Sequence, residues 1–479
     1  MSKKKNVFQT VFKDFLKKVS KKNKLLEKIV KKQKSKCNEG REDNMRHYYR
    51  EGWLLKKLPT YQGNNQMSTE LYNCGTYAKL YENNNSKDCM MQSITDTTLE
   101  EFLYYVDILK ENGYQEEKHH SIENNYFYRL VQNDKRVCAN YYENEKKALV
   151  VLDENEGTSP EQISYIYEPK HDEQSEIYMF GLKMDPNGMN IALEENTSGF
   201  VNNGECLVIK CADNSLIIVD GGAECQMKQE DQERFSKLLH KITGKSEEEV
   251  LTISAWYITH THNDHVMGLM ALLSRNPRKY NLERVICNLP NPETTNQARD
   301  LMFQYIADFL QEHFPMCQEI KVHTGDVIRI ADNTMTVLYT HEDLADGDGT
   351  FPTRDYNATS TVIMVETRAG MKILVTGDIT ERAEESLCNH FSEATLKCDI
   401  LQQPHHNFNN NATVYEYANA QVMLMLQTSG GLVKNEEMTA HSDLAKKWCS
   451  EWYCGGDETV GFTYEDDRAK LIYHTKDIY

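Results

Sequence analysis

The spacing of apolar residues changes along the chain, and each spacing predicts a different kind of element. Residues 7–30 carry apolar side chains at helical spacing with Lys on the opposite face, which predicts a basic amphipathic helix. A second helix is predicted to begin after Thr97, with Glu100 in the capping-box position, and to end at Gly113. Three alternating runs that follow it predict strands, at residues 126–131, 136–142 and 147–152.

From about residue 176 the pattern becomes one of short apolar strands that alternate with helices. Residues 206–210 and 215–219 predict a hairpin, and a later strand at 250–258 leads into a predicted helix at 266–273. Strands that alternate with helices indicate a layered α/β domain. We therefore expect three segments: a basic helix with its linker at 1–53, a small α+β domain of unknown role at 54–170 and an α/β domain at 176–479.

The composition is that of a folded protein and excludes several classes. The 479 residues are too many for one hydrophobic core, and a hydrophobic fraction of 39% is too high for wholesale disorder. No apolar run reaches the ~18 residues of a membrane span and the N-terminus carries no apolar signal core, so the expected location is the cytoplasm. The 13 Cys include no Cys-x-x-Cys pair, which favours reduced buried thiols over disulfides or a thiolate zinc site.

Charge is divided unequally between the N-terminal arm and the rest of the chain. Residues 3–36 hold fourteen Lys against Asp14 and Glu27, whereas the whole chain has a net charge of −19. An acidic body repels polyanions, so we expect it to act on a small-molecule substrate. The arm can contact an anionic membrane, nucleic acid or another subunit, or it can be a solvated helix that docks on its own protein.

Three His fall within six residues, and this cluster predicts a metal site. Side chains alternate along a strand, so His260 and His262 point the same way at the end of the strand at 250–258. Asp264 and His265 follow where the chain turns into a helix. This order presents two imidazoles to one cation, and a carboxylate with an imidazole to a second, an arrangement that can activate a water for attack. The alternative, an exposed polar loop, does not explain why an apolar strand runs directly into these residues.

Further acids and His stand at the ends of later strands. Asp220 ends an apolar strand before two glycines, and Asp378 follows a similar strand after Gly377. Each motif alone is weak, because Asp next to Gly is also an ordinary turn. His405 and His406 follow another strand-like run and are again weak evidence by themselves.

In this order the segments resemble the metallo-beta-lactamase superfamily, over about residues 203–479 and most specifically at His260-x-His262-x-Asp264-His265. The resemblance implies an αββα sandwich with two divalent metal ions at the edge between two sheets. Zn is the first expectation, and Mn or Fe also suits imidazole and carboxylate ligands. The implied roles are a supporting acid at Asp220, first-metal ligands at His260 and His262, second-metal ligands at Asp264, His265 and His405, and a bridging carboxylate at Asp378.

Within the superfamily, the chain is most similar to the hydrolase-like domain of the bacterial DNA-uptake channel protein. That similarity is carried by Asn357-x-x-Ser360, Thr376-Gly377-Asp378, Pro404-His405-His406 and His441. Two positions depart from the expected pattern: Asn357 stands where the superfamily has a third His on the first metal, and Asn407 stands where the DNA-uptake relatives have Gly. His341 is the alternative ligand for the first metal, and His406 is an additional metal-binding or supporting candidate.

These features predict a metal-dependent hydrolase that uses a metal-bridging hydroxide on a small phosphodiester or on an ester- or amide-type substrate. Asp264 and Asp378 are the expected catalytic carboxylates, and His441 is the expected general acid. Two alternatives stay open. One is a nuclease, and the other is a sensor or binding protein whose metallo-domain is structural and whose 54–170 domain recognises the ligand.

Overall fold

The first part of the described chain is a six-stranded antiparallel sheet with one long helix packed on it. The computed structural model describes residues 57–61, 66–71, 89–133, 135–154, 159–170, 173–181, 206–223, 229–290, 302–344, 356–433 and 435–475. The elements of this sheet are β1 (Gln66–Leu71), β2 (Cys89–Ile94), α1 (Leu99–Glu111), β3 (Gln115–Ile122), β4 (Asn125–Gln132), β5 (Lys135–Tyr142) and β6 (Lys147–Glu154). Their order across the sheet is β1-β2-β6-β5-β4-β3. The three strands predicted from alternation are confirmed as β4, β5 and β6.

Helix α1 begins one residue later than the sequence pattern predicts. Thr98 is its N-cap: the Thr98 hydroxyl accepts a hydrogen bond from the Glu101 backbone N–H, and the Glu101 carboxylate accepts one from the Thr98 N–H at 2.8 Å. Thr97 is buried, with its hydroxyl 2.8 Å from the Tyr61 hydroxyl. The capping box is therefore Thr98 with Glu101, because the Thr97 side chain packs inside the domain.

Two larger sheets follow and pack face to face. The elements that come first along the chain are α2 (Pro160–Ile163), β7 (Tyr165–Ile166), β8 (Glu176–Met179), β9 (Cys206–Lys210), β10 (Leu216–Asp220), α3 (Gln229–Thr243), β11 (Leu251–Tyr257), α4 (Asn263–Arg275), β12 (Tyr280–Leu282), β13 (Arg284–Cys287), α5 (Met302–His313) and β14 (Gln318–Lys321). The later elements are β15 (Val327–Ala331), β16 (Asn333–Tyr339), β17 (Val362–Thr367), β18 (Lys372–Val375), α6 (Glu381–His390), α7 (Glu393–Leu396), β19 (Ile400–Gln402), α8 (Ala412–Ala418), β20 (Val422–Met425), α9 (Ser429–Leu432), α10 (Glu436–Lys446), β21 (Glu451–Cys454), β22 (Val460–Glu465) and β23 (Arg468–His474). Short 3-10 turns lie at Pro277–Lys279, His341–Leu344, Asn357–Thr359 and Pro404–Asn407.

Each large sheet contains a run of parallel strands. The nine-stranded sheet has the order β14-β13-β11-β10-β9-β8-β22-β23, with β12 paired to β11, and the eight-stranded sheet has the order β21-β20-β19-β18-β17-β16-β15-β7. Strands β10, β11, β13 and β14 are parallel, and so are β18 to β21. The carboxyl ends of parallel neighbours lie at one edge of a sheet, where open α/β sheets bind their ligands.

The residues of β10 divide between two apolar layers. All five are buried; Leu216 and Ile218 pack with α3, α4 and α5, whereas Ile217 and Val219 pack against the eight-stranded sheet. Successive side chains of a strand point to opposite faces, so an uninterrupted apolar strand such as β10 needs an apolar layer on each face. Helices α6 and α8 cover the outer face of the eight-stranded sheet. This is an αββα sandwich preceded by a small α+β domain, so the predicted fold class is confirmed.

The N-terminal sheet covers another part of the sandwich. Phe127 of β4 and Tyr142 of β5 belong to the same apolar cluster as Leu338 of β16 and Val362 of β17. Strand β7 falls within the predicted 54–170 domain, yet it pairs with β15 of the eight-stranded sheet. The described residues all belong to one compact unit, Gly52–Tyr479. The N-terminal sheet thus completes an apolar layer that the sandwich helices leave open.

The predicted basic helix at 1–53, with its expected contacts, lies outside the described residues. Where the structure describes the chain, none of its helices has the length and apolar character needed to cross a membrane. The boundaries at 1–53, 54–170 and 176–479 stay predictions.

Candidate metal centre

The polar residues at the ends of four strands meet at one edge of the sandwich. Asp220 ends β10, and His260 and His262 follow β11 directly before α4. From the other sheet, Asp378 follows β18 and His406 follows β19. Gly377 lets the β18 loop approach β11 closely, because it has a φ of +54° and an added Cβ would lie 2.9 Å from side-chain atoms of Thr259 and Ser360.

Imidazole and carboxylate atoms converge at the centre of this edge. Asp378 Oδ2 lies 3.1 Å from His265 Nε2 and 3.8 Å from His260 Nε2, while Asp378 Oδ1 lies 3.4 Å from His406 Nε2. Asp264 Oδ2 lies 3.5 Å from His406 Nε2 and 4.0 Å from His265 Nε2. Two donor groups result: His260, His265 and Asp378 in one, and Asp264, His265 and His406 in the other.

Asp220 lies behind the cluster and orients His265. Its Oδ2 is 2.7 Å from His265 Nδ1, and the Thr259 backbone N–H and hydroxyl donate to its two oxygens at 2.8 and 2.7 Å. All three residues are buried. Because Nδ1 of His265 is engaged by Asp220, Nε2 is the nitrogen that faces the cluster. Asp220 was predicted to be a supporting acid and stays a prediction in that role, whereas Thr259 was not singled out from the sequence.

His262 lies at the edge of the cluster. Its Nδ1 is 3.0 Å from His260 Nε2, and the side chain is only partly buried. The ring of Tyr356 lies 5.4 Å from the His262 ring, and the Thr261 hydroxyl donates to the Tyr356 hydroxyl at 2.6 Å. Tyr356, which sequence analysis did not identify, thus covers this side of the site.

The turn after β19 decides which of the paired His enters the site. His405, His406 and Asn407 have φ values of 45°, 48° and 70° in succession, a left-handed conformation that is strained for residues other than Gly and Asn. His406 Nδ1 donates to the Leu426 carbonyl at 2.9 Å, which turns His406 Nε2 toward Asp264 and Asp378. The predicted ligand was His405, with His406 as an additional candidate; the structure brings His406 into a donor group and leaves His405 outside both.

His405 instead belongs to a hydrogen-bonded chain beside the cluster. The Asn357 amide N–H donates to His405 Nε2 at 2.8 Å, so His405 carries its proton on Nδ1 and donates it to the Asn409 side-chain oxygen. Asn409 Nδ2 in turn donates to the Glu381 carboxylate at 2.9 Å. Asn357, at the position of the third His, thus contacts a His that lies outside both donor groups.

The two remaining candidates lie apart from the donor groups. His341 is buried, and its Nε2 lies 3.0 Å from the Asn288 side-chain oxygen. Burial lowers the pKa of His341 to about 4, so His341 is a neutral imidazole. His441, on α10 and half-buried, donates from Nδ1 to the Asn407 carbonyl at 3.1 Å.

The charges of the cluster fit a cation. Burial, with His265 and His262 nearby, holds the pKa of His260 well below its usual value, so His260 offers a lone pair. Burial acts to raise the pKa of Asp378, but His265 and His406, whose own pKa values the Asp378 charge raises, outweigh it and hold that pKa well below its usual range. When no ion is bound, these two imidazolium groups supply the positive charge that an ion would supply. Asp378 Oδ1 is buried, and its 3.4 Å contact with His406 Nε2 does not have hydrogen-bond geometry. A buried carboxylate oxygen in that position, among imidazole nitrogens, suits Zn, Mn or Fe.

One protein family and a set of solved structures are similar to this chain. Residues 199–414 match the model of the metallo-beta-lactamase superfamily. A search of curated proteins finds no match. Among solved structures, the metallo-beta-lactamase fold protein YhfI from Bacillus subtilis is 13% identical, with 59% of this chain and 96% of that chain covered and a TM-score of 0.34. Yeast PDE1 is 14% identical, with 59% and 97% covered and a TM-score of 0.32.

Proposed function

We propose that the chain is a metal-dependent hydrolase with two divalent ions. His260 and Asp378, with the adjacent His262, would hold the first ion, and Asp264, His265, His406 and Asp378 the second, with His265 near both. The observation that carries the proposal is the buried Asp378 carboxylate, which lies among imidazole nitrogens of both groups, within 3.8 Å of His260, His265 and His406. Such ions, when bound, lower the pKa of a water and stabilise negative charge on the substrate.

The surrounding residues would keep this site in register. Asp220 and Thr259 fix the ring of His265, and the Ser360 hydroxyl accepts the Asp378 backbone N–H at 3.0 Å. His441 donates a hydrogen bond from Nδ1 to a backbone carbonyl, so Nε2 is the nitrogen that, in the doubly protonated ring, would deliver a proton to a departing group. We therefore keep His441 as the proposed general acid.

The proposed substrate is a small phosphodiester or an ester- or amide-type molecule. The chain has a net charge of −19, which opposes the binding of a long polyanion. A relationship to the DNA-uptake hydrolase-like domain, and with it a nuclease activity, is the second proposal. It is favoured by the Asn357-x-x-Ser360 motif, because Ser360 contacts the loop of Asp378. Zn as the metal and a cytoplasmic location complete the proposal.

The test combines metal analysis with a substrate panel. Purified protein is analysed for metals and then assayed with bis-p-nitrophenyl phosphate, a β-lactam and a thioester, with and without a chelator. We expect bound metal and chelator-sensitive hydrolysis of at least one substrate. Protein that binds no Zn, Mn or Fe and hydrolyses none of the three would refute the proposal. Metal binding without any hydrolysis would favour the sensor alternative.

A further inference from the structure

The two donor groups of the proposed site differ in how firmly their atoms are held. In the group around His406, both imidazoles are buried and each has its other nitrogen bonded, His265 to Asp220 and His406 to the Leu426 carbonyl. With Asp378 included, the donor atoms of this group lie from 3.1 to 4.0 Å apart. This range includes ~3.4 Å, the distance between two ligand atoms of a tetrahedral site whose metal–ligand bonds are about 2.1 Å long.

The two groups share His265, so the group around His260 loses an imidazole when His265 serves the ion at His406. The imidazole left beside the buried His260 is His262, which is partly exposed, and the third ligand position of the superfamily holds Asn357. The amide nitrogen of Asn357 is bonded to His405, and that His is fixed through Asn409 and Glu381. An amide oxygen is a neutral and weak ligand, so the first ion would have two imidazoles and a shared carboxylate as its strong ligands.

We propose that the chain holds its two metal ions unequally, with a retained ion at Asp264, His265, His406 and Asp378 and a freely exchanging ion at His260 and His262. The pair formed by Asn357 and His405 sets this difference, because it occupies the place of a third imidazole. This inference rests on the proposed function. The adjacent His405 and His406 consequently have opposite roles: His406 binds the retained ion, and His405 holds Asn357.

The paired His give a matched test that does not depend on activity. Wild type, His405→Ala and His406→Ala are loaded with Zn, passed through a desalting column into metal-free buffer and measured by elemental analysis. We expect about one ion per chain for the wild type and for His405→Ala, and well under half an ion for His406→Ala. Circular dichroism establishes that each variant is folded. If His406→Ala does not fold, Asp264→Asn replaces it with the same expectation.

A gain of binding tests the role of Asn357. Asn357→His supplies the third imidazole, so we expect the desalted variant to retain close to two ions per chain. Calorimetric titration of Zn into metal-free wild type is expected to give two binding steps. Their dissociation constants should differ by ~10 to 100-fold, which is the loss of metal affinity found when a supporting contact is removed. In Asn357→His the weaker step is expected to move toward the stronger one.

The outcomes separate this inference from the function on which it depends. Two equally retained ions in the wild type, or loss of the retained ion in folded His405→Ala, would overturn the unequal sites while leaving a metallo-hydrolase in place. Unchanged stoichiometry in folded Asn357→His would remove Asn357 as the cause of the difference and overturn the inference. Absence of metal from all loaded proteins would refute the proposed function itself.

Discussion

Two buried clusters of charged residues lie beyond the parallel strands of the nine-stranded sheet, and only one has the character of a ligand site. After β14, His323 lies between two carboxylates, with Nε2 2.7 Å from Asp153 Oδ2 and Nδ1 2.9 Å from Glu342 Oε1. Lys321 also contacts Asp153, at 2.8 Å. In the cluster after β11, by contrast, imidazole and carboxylate atoms form two groups, and the donor atoms of each group lie within 4.8 Å of one another.

The difference shows that burial and charge alone do not define a functional site. The His323 cluster matches two cations to two carboxylates, so its charges are satisfied inside the protein. Its members come from both the N-terminal sheet and the sandwich, which makes it a structural junction. The Asp378 cluster instead directs imidazole and carboxylate atoms toward a common centre, where a cation would satisfy them.

Removal of the Asp378 carboxylate, which we propose is shared by two metal ions, should have the largest effect on activity. We expect Asp378→Ala to abolish turnover and to lose bound metal while the protein stays folded, because this carboxylate is shared by both donor groups. Asp264→Ala should likewise abolish turnover by removing the second ion. Asp107→Ala, an exposed carboxylate on α1, is the control. Metal content and p-nitrophenolate release measure the effect, and full activity in Asp378→Ala would overturn the assignment of two ions.

A substitution in the His323 cluster should instead reduce stability and leave metal binding unchanged. Asp153→Ala removes the carboxylate that His323 and Lys321 share, and such a loss from a buried ion pair costs about 3 to 5 kcal/mol of unfolding free energy. Urea unfolding measures this loss. The folded fraction should keep the metal content of the wild type. A variant with normal stability and depleted metal would show that the two clusters are not independent.

The pH dependence of stability should also separate the clusters. Burial acts to raise the pKa of Glu342, but His323 and Lys321 outweigh it and hold that pKa at about 2. The unfolded state therefore binds a proton near pH 4.5 that the folded state does not bind, so this contribution is present above pH 4.5 and is lost as the pH falls toward 2. His323 is protonated in both states in this window, because its folded pKa is raised.

Replacing the Glu342 carboxyl by an amide tests this pH dependence of stability. Glu342→Gln should be less stable than the wild type at pH 7, and the difference should shrink by roughly 3 kcal/mol at full protonation, about 1.4 kcal/mol for each pKa unit. Chemical unfolding at pH 7, 5, 4 and 3 provides the comparison. A constant difference across this range would show that Glu342 has an ordinary pKa in the folded protein.

The sequence predicted the sandwich, and it pointed to a candidate site because that signal is local. His260, His262, Asp264 and His265 fall in six residues where a strand ends and a helix begins, so the chain itself keeps them close together. The choice of His406 over His405 depends on three successive left-handed residues, a conformation that no spacing reveals. Likewise Asp153 and His323 are 170 positions apart, so their contact is not a pattern in the sequence.

The sequence left the role of the N-terminal sheet open. Its strands predict a small α+β module, and the two interpretations were that it recognises a ligand or that it packs against the next domain. In the structure one face of the sheet packs on α1 and the other joins the apolar cluster of the sandwich, as Phe127 and Tyr142 show. Asn125 and Tyr142 also contact His390 at the end of α6, the helix that follows Asp378. These contacts favour a supporting role for the sheet.

The smallest expected effect concerns proton delivery by His441. Its Nδ1 is bonded to the Asn407 carbonyl, so Nε2 is the nitrogen that can protonate a departing oxygen. A poor leaving group needs that proton and p-nitrophenolate does not, so His441→Ala should slow an alkyl ester of the preferred substrate class by about 100-fold or more, and its p-nitrophenyl ester by less than about 10-fold. His119→Ala, an exposed His on the N-terminal sheet, is the control. Equal slowing of both esters would remove His441 from the mechanism, because a change in metal geometry or folding would affect both leaving groups alike.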